Sequence, residues 1–204
     1  MKRLGREEYQ ALKSGAEVTA ADPHGDKVLR LADGTYLKLF RIKRLWTSAR
    51  LFPYWRRFQR NASRLSALQI PTLTVIDVYD IPHLARTAVH YHPLPGQTLR
   101  EVASLDRTLL SQLGRFINEL HNKGVYLRSM HLGNVVLTPD GQLGLIDIAD
   151  MTVSGRSLSA GKRLRNYQHL ARYEEDRPVV RQYLEDFLAE VSEPLHSQVA
   201  ELFR

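Results

Sequence analysis

Residues 120–151 read LHNKGVYLRSMHLGNVVLTPDGQLGLIDIADM, and this stretch decides the fold. Gly124 is a natural stop for the preceding helix, and a short apolar run follows it. After a polar loop come two further apolar runs, joined by a Pro-Asp-Gly turn at 139–141. The stretch therefore predicts a helix end, a strand, a polar loop, a pair of strands and an acidic loop.

Two oxygen-bearing side chains lie at the ends of the predicted strand pair. Asn134 precedes the first strand and Asp147 follows the second. The two strands run in opposite directions, so both side chains should lie on the same side of this unit. Amide and carboxylate oxygens suit Mg²⁺ bound together with a nucleotide phosphate.

The segment before this stretch predicts a small antiparallel sheet with one helix. Turn signals at 22–26 and 33–34 separate short alternating runs, as in a β-meander. The predicted elements are a helix of one or two turns at 6–14, strands at 18–20, 27–31 and 35–40, a helix at 54–69, and strands at 73–78 and 87–92.

Pro93–Gly96 then breaks the chain, and the later residues are mainly helical in pattern. A capping-box spacing of Thr98 and Glu101 predicts the start of a short helix. Apolar spacing predicts a long amphipathic helix over 106–122 and a helical tail from about residue 162. We therefore expect an α+β domain of two lobes, residues 1–92 and 93–204.

Composition limits the classes of function. The chain has 204 residues, a net charge of +7 and no cysteine, so disulfides, thiolate metal sites and cysteine nucleophiles are excluded. The N-terminus has no apolar run typical of a secretory signal, and no stretch is apolar enough to span a membrane. We expect a cytoplasmic protein with an anionic partner.

The motif MHLGN at 130–134, followed by LID at 145–147, resembles the metal-binding segments of aminoglycoside and sugar kinases of the protein-kinase-like superfamily. The whole run is similar to bacterial lipopolysaccharide-core kinases of the Kdo/heptose type, in particular the Pseudomonas branch labelled toluene-tolerance proteins. The resemblance implies a small kinase-like fold, ATP and Mg²⁺ as cofactors, and phosphotransfer to a core sugar of the envelope glycolipid.

The resemblance also implies roles for individual residues. Lys38 matches the phosphate-binding lysine of the third strand, although a solvent-facing lysine at a strand end is the alternative. Asn134 and Asp147 match the nucleotide- and metal-binding pair, and the alternative for Asp147 is a turn-capping carboxylate. His131 and Gly133 are expected to structure the loop.

Four departures from the family pattern argue against ordinary catalysis. Ser129 replaces the catalytic Asp that accepts the proton of the attacking hydroxyl, and Asn61 stands where a Glu would hold the lysine. The first turn, 22–26, has a single glycine, and a helical Asp that braces the loop would fall near His169. The alternative function is therefore a pseudokinase that binds nucleotide or a partner. Asp150 or His131 could act as a substitute base.

A basic, aromatic segment at 41–60 is a separate candidate surface, because no acidic residue lies between Asp33 and Asp77. Contact with an anionic glycolipid or the inner-membrane surface is the favoured interpretation, with a solvated helix face as the main alternative. No motif supports nucleic acid as the partner. The proposed contact residues are Arg41, Lys43, Arg44, Arg56 and Arg57.

Overall fold

The computed structural model describes residues 1–41 and 53–204, which divide into two compact units. The first unit is Met1–Ser63 with Thr72–Pro93, and the second is Arg64–Pro71 with Leu94–Arg204.

The first unit is built on a six-stranded sheet in the order β1-β5-β6-β4-β3-β2. The pair β1–β5 is parallel and the other pairs are antiparallel, so the predicted three-strand meander, β2 to β4, is confirmed. The strands are β1 (Lys2–Arg3), β2 (Glu17–Asp22), β3 (Gly25–Arg30), β4 (Tyr36–Arg41), β5 (Thr74–Ile81) and β6 (Arg86–His92).

Two helices accompany this sheet. α1 (Arg6–Lys13) lies in the chain between β1 and β2, and its Tyr9 is buried in the core of the unit. α2 (Tyr54–Ala67) buries Phe58, whose ring lies 5.8 Å from Phe40 and 5.6 Å from Tyr91. Alternate residues of β4 are buried, as expected for a strand with one face on a core.

The second unit begins with a short strand and is mainly helical. β9 pairs with both β10 and β7, and β11 pairs antiparallel with β8. The strands are β7 (Gln97–Thr98), β8 (Val125–Leu127), β9 (Val135–Leu137), β10 (Leu143–Leu145) and β11 (Met151–Val153). The helices are α3 (Arg107–Asn122), α4 (Ala160–Ala171), α5 (Arg177–Gln182), α6 (Leu184–Leu188) and α7 (His196–Phe203).

The predicted short helix at Thr98 is wrong. The N–H and hydroxyl of Thr98 each donate to the Glu101 carboxylate at 2.8 Å, so the capping contact exists. The backbone, however, is already paired as a strand, because β7 lies against β9 and the Leu99 N–H donates to the Val135 carbonyl. Only a turn follows.

The long helix α3 packs closely on α6 through a glycine. A Cβ added at Gly114 would lie 2.5 Å from the backbone carbonyl oxygen of Phe187, so only glycine fits this contact. Leu113, Ile117 and Phe187 are fully buried in the unit, which confirms the predicted amphipathic face. Among the described residues, no helix is both long enough and apolar enough to cross a membrane.

Candidate nucleotide-binding site

The polar loop between β8 and β9 is fixed by Asn134. The Asn134 Nδ2 donates a hydrogen bond of 2.8 Å to the backbone carbonyl of Ser129, and the residue is only 6% exposed. A 3₁₀ turn at Leu132–Asn134 ends the loop, and the Asn134 N–H donates to the His131 carbonyl. The Asn134 side chain therefore lies inside the loop, with its Nδ2 bonded to the loop backbone.

Asp147 follows β10 and lies beside this loop. The Ile146 N–H donates a 3.0 Å hydrogen bond to the Asn134 carbonyl, which joins the polar and acidic loops through their backbones. Asp147 itself is exposed and adopts a left-handed conformation, with φ of 49°. A residue other than glycine in this region is uncommon and is often found at functional sites. Within the second unit, the fold brings Asn134 and Asp147 together.

Ser129 occupies the position of the expected proton acceptor, but its hydroxyl is buried. The Ser129 Oγ has no hydrogen-bond partner among the described residues. A serine hydroxyl is not basic near neutral pH, and here it is also closed off from solvent. This arrangement does not provide a general base.

His131 and Gly133 shape the loop by packing. The His131 ring lies 4.5 Å from the Tyr173 ring, and burial and the nearby Arg100 lower the pKa of His131, while Asp147 acts in the opposite direction. A Cβ at Gly133 would lie 3.1 Å from His131 Nδ1 and 3.3 Å from the Arg100 side chain. A larger residue at this position would therefore require the His131 or Arg100 side chain to move by a few tenths of an ångström.

Asp176 braces the loop from outside, and the sequence analysis missed it. Its carboxylate is 1% exposed and accepts a 2.8 Å hydrogen bond from the Leu132 N–H. Arg100 also donates to it twice, from Nε at 2.7 Å and from Nη2 at 3.0 Å. Asp176 precedes α5, and no local pattern distinguishes it from the neighbouring acids Glu174 and Glu175.

A second brace comes from Asn166 in α4, three residues before His169, the position near which the family's bracing Asp was expected. The Asn166 Nδ2 donates to the Leu127 carbonyl at 2.6 Å, and its Oδ1 lies 3.0 Å from His121 Nε2. Burial, partly offset by the hydrogen bond to Asn166, lowers the pKa of His121 to about 4. The imidazole is therefore neutral at physiological pH and donates from Nε2 to Asn166. His169 instead contacts Tyr126.

Lys38 lies in β4 of the first unit, paired with Val89 of β6. Its Nζ lies 5.2 Å from the centroid of the Phe58 ring, a cation–π distance. Asn61, one turn further along α2, is 1% exposed. Residues 54–67 contain no acid, so this helix offers no carboxylate to the lysine.

The turn where a phosphate loop would lie is closed by an arginine that the sequence analysis did not identify. Arg86 of β6 is 8% exposed, and its guanidinium donates to the backbone carbonyls of His24 and Asp26. Gly25 has φ of 107°, which a side chain would disfavour. Arg86 thus fixes the tight turn between β2 and β3 through hydrogen bonds to two backbone carbonyls.

Part of the basic segment lies in the described chain. Arg41 is exposed at the end of β4, and Arg56 and Arg57 lie over the rings of Trp55 and Tyr54, at 5.1 and 5.4 Å. The other two predicted contact residues, Lys43 and Arg44, lie outside the described residues.

The donor set for a metal is small. In residues 1–41 and 53–204, no group of three or more His, Cys, Asp or Glu side chains is placed to hold a metal ion. Asn134 and Asp147 would supply two oxygen ligands. That number suits Mg²⁺, which commonly binds through one or two protein ligands while substrate phosphates and water complete its octahedron. The pair therefore fits Mg²⁺ delivered with a nucleotide.

The strand pairing places the polar and acidic loops in one structural unit. The strand before the polar loop, β8, pairs with the strand after the acidic loop, β11, and the β9–β10 hairpin lies between them in the chain. A sheet with its own helix precedes this unit in the chain. The predicted α+β class is confirmed, with the order of a sheet followed by helices that is expected of a kinase-like fold.

In comparisons with known proteins, no protein-family model matches the chain, and no curated protein is similar in sequence. A solved structure of a divergent kinase without a glycine-rich loop, which regulates membrane ultrastructure of the Toxoplasma parasitophorous vacuole, is similar with a TM-score of 0.46. It is 17% identical, and the match covers 98% of this chain and 70% of that one. We infer nothing about activity or ligands from a likeness at this level.

Proposed function

We propose that this chain is a pseudokinase of the lipopolysaccharide-core kinase type, which binds ATP with Mg²⁺ and supports envelope glycolipid assembly without turnover. The observation that carries the proposal is the buried hydroxyl of Ser129 at the position where the resemblance expects the proton-accepting Asp. The family and its glycolipid come from the resemblance of residues 120–151.

Retention of the metal pair supports nucleotide binding. Asn134 and Asp147 lie on loops joined by the hydrogen bond from Ile146. The resemblance assigns the metal to these two residues and phosphate contact to Lys38. Phosphoryl transfer depends mostly on positioning and charge neutralisation. Residues that bind the metal and the phosphates can therefore still bind a nucleotide when the general base is missing.

The second candidate is a slow, active phosphotransferase acting on a core sugar. Loss of a general base typically lowers a rate by about 10² to 10⁴. Such a loss leaves measurable turnover if the metal pair still positions a nucleotide. The braced loop, held by Asn134 and Asp176, is the observation in favour of this candidate.

Phosphate transfer from radiolabelled ATP to isolated core glycolipid distinguishes the pseudokinase from the slow phosphotransferase. We expect wild-type protein to transfer no more label than an Asp147→Asn control. Transfer by wild type that disappears in Asp147→Asn would establish the kinase and overturn the pseudokinase. A Ser129→Asp variant is the gain-of-function arm, provided that its thermal unfolding remains cooperative.

Contact with an anionic membrane surface is proposed for the basic segment. Arg56 and Arg57 are placed on α2, and Arg41 is exposed nearby in the chain. We expect binding to phosphatidylglycerol vesicles that weakens with salt and in the Arg56→Ala, Arg57→Ala double variant. An Arg6→Ala, Lys27→Ala double variant removes the same charge from exposed positions elsewhere. If the two double variants bind these vesicles equally well, the proposed membrane contact of the basic segment is wrong.

A further inference from the structure

One face of helix α4 carries a row of cationic side chains. Lys162, Arg165, His169 and Arg172 are spaced by three or four residues, so they share a face of the helix and its C-terminal cap. The lysine and both arginines are exposed, and His169 is half-buried. None of this row is used by the proposed nucleotide site.

His169 is the centre of this row and is tied to a neighbouring strand. Its Nε2 lies 2.9 Å from the Tyr126 hydroxyl, and the Arg172 Nη2 lies 3.0 Å from its Nδ1. A guanidinium can only donate, so Nδ1 accepts and Nε2–H donates to the tyrosine. The imidazole is therefore neutral in this arrangement.

A third arginine lies close to His169 in the second unit. Arg128 directly follows β8 and comes two residues after Tyr126, the strand residue that contacts the imidazole. Burial lowers the pKa of His169, and Arg172, Arg128 and Arg165 lower it further. Arg172 therefore contacts the imidazole, and two more guanidiniums, one on the same helix face and one beside the contacting strand, add positive charge near it.

These charges are not neutralised within the described chain. None of Arg128, Arg165 and Arg172 forms an ion pair with a described acidic residue, whereas Arg100, Arg115 and Lys123 of the same unit do. Like charges on neighbouring side chains repel one another, and a bound anion would remove that repulsion. Planar guanidinium groups match the arrangement of oxygens on a phosphate group, and a monatomic halide offers no such arrangement.

From the cationic face of α4, the contact of Arg172 with His169 and the position of Arg128 beside the contacting strand, we infer that Arg128, Arg165 and Arg172 form a binding site for a phosphate group. Arg128 directly precedes Ser129, so the site adjoins the polar loop in the chain. Lys162 extends the site along α4. The ligand chemistry is a phosphoryl group, free or carried by a lipid headgroup. The inference requires neither nucleotide binding nor turnover.

Inorganic pyrophosphate, titrated without Mg²⁺ and with chelator present, is the direct probe. We expect its affinity to fall by about tenfold or more in an Arg128→Gln, Arg165→Gln, Arg172→Gln variant, because removing even one charge-assisted hydrogen bond has an effect of that size. The matched control is Arg107→Gln, Arg181→Gln, Arg204→Gln, which removes the same charge from the same unit. The His169 imidazole NMR signals should move with pyrophosphate in the control but not in the cluster variant.

A parallel titration distinguishes the two sources of phosphate. Binding of pyrophosphate that depends on the cluster supports a soluble ligand. Cluster-dependent binding to phosphatidylglycerol vesicles, with none to phosphatidylcholine, supports a lipid headgroup. If the triple variant unfolds, Arg165→Gln alone replaces it, because that side chain is exposed. The inference is overturned if the cluster and control variants bind both probes equally, or if wild type binds neither.

Discussion

The side-chain amide of Asn134 donates a 2.8 Å hydrogen bond to the backbone carbonyl of Ser129. This bond closes the polar loop on the residue that replaces the expected proton-accepting Asp. The backbone carbonyl of Asn134 in turn accepts from the Ile146 N–H, next to Asp147. One asparagine thus links the loop of Ser129 to the loop of Asp147, and this link holds the two proposed metal ligands together although no proton acceptor is present.

Replacing Asn134 with Ala should affect both stability and nucleotide binding. The residue is buried, so the Ser129 carbonyl loses its side-chain donor at a cost of about 1–3 kcal/mol in unfolding free energy. Urea denaturation measures this loss. Asn122→Ala, at an exposed position, is the control and should change stability by less than about 1 kcal/mol. Similar losses in both variants would argue against a special role for Asn134.

Asp176→Ala should destabilise the second unit strongly. The substitution leaves the Leu132 N–H and the Nε and Nη2 donors of the half-buried Arg100 without their acceptor. We expect a loss of about 2–3 kcal/mol, because both bonds involve a charged group. Chemical denaturation followed by far-ultraviolet circular dichroism, to which the helices of the second unit contribute, measures it.

Glu175→Gln provides the matched comparison for Asp176. Glu175 pairs with the same Arg100 at 2.9 Å, but its side chain is 59% exposed. An exposed pair of this kind contributes about 0–1 kcal/mol. If Glu175→Gln lowers the free energy of unfolding as much as Asp176→Ala does, the burial of Asp176 and its bond to Leu132 do not explain the effect.

His121 should make the protein less stable as the pH falls. Burial lowers the pKa of His121 from 6.5 to about 4, so the unfolded chain binds a proton in this window that the folded chain does not. Unfolding then takes up a proton, and stability falls by up to about 1.4 kcal/mol per pH unit between these two values.

The His121→Gln variant tests this pH dependence. Its stability should fall less steeply than that of wild type between pH 6.5 and pH 4. An exposed histidine, His92, replaced in the same way, should leave the wild-type slope unchanged. Parallel curves for wild type and His121→Gln would contradict the assignment of the proton to this residue.

Two glycines in helices should respond in opposite ways to Ala. At Gly114 the added Cβ meets the Phe187 carbonyl, and overpacking of this kind costs about 1–3 kcal/mol. At Gly161 in α4 nothing lies within 4 Å, so the change should stabilise by about 0.5–1 kcal/mol through helix propensity. Thermal unfolding of both variants measures the difference, and a stabilised Gly114→Ala would contradict the close packing of α3 on α6.

Much of the fold could be predicted because its signals are local. The turns at 22–26 and 33–34 fix the meander, and Gly124 ends α3, so strands and helices follow from neighbouring residues. The short helix predicted at Thr98 failed for a non-local reason, namely the pairing of β7 with β9. Element boundaries also moved by a few residues, as at Ala67, where α2 ends before the predicted 69.

Only part of the candidate site could be predicted from the sequence. Asn134 and Asp147 flank a recognisable hairpin, so their proximity follows from the order of elements. Arg86, Asn166 and Asp176 act on residues 39 to 62 positions away, through hydrogen bonds that no local pattern encodes. Lys38 and the roles implied by the resemblance remain predictions.

The central claim, that the chain binds ATP with Mg²⁺, is tested most directly by thermal unfolding with and without the nucleotide. We expect saturating ATP with Mg²⁺ to raise the melting temperature by about 5 °C or more. The shift should be largely lost in Asp147→Asn and kept in Glu174→Gln, an exposed carboxylate of the same unit. An unchanged melting temperature for wild type, or an equal shift in Asp147→Asn, would contradict the account.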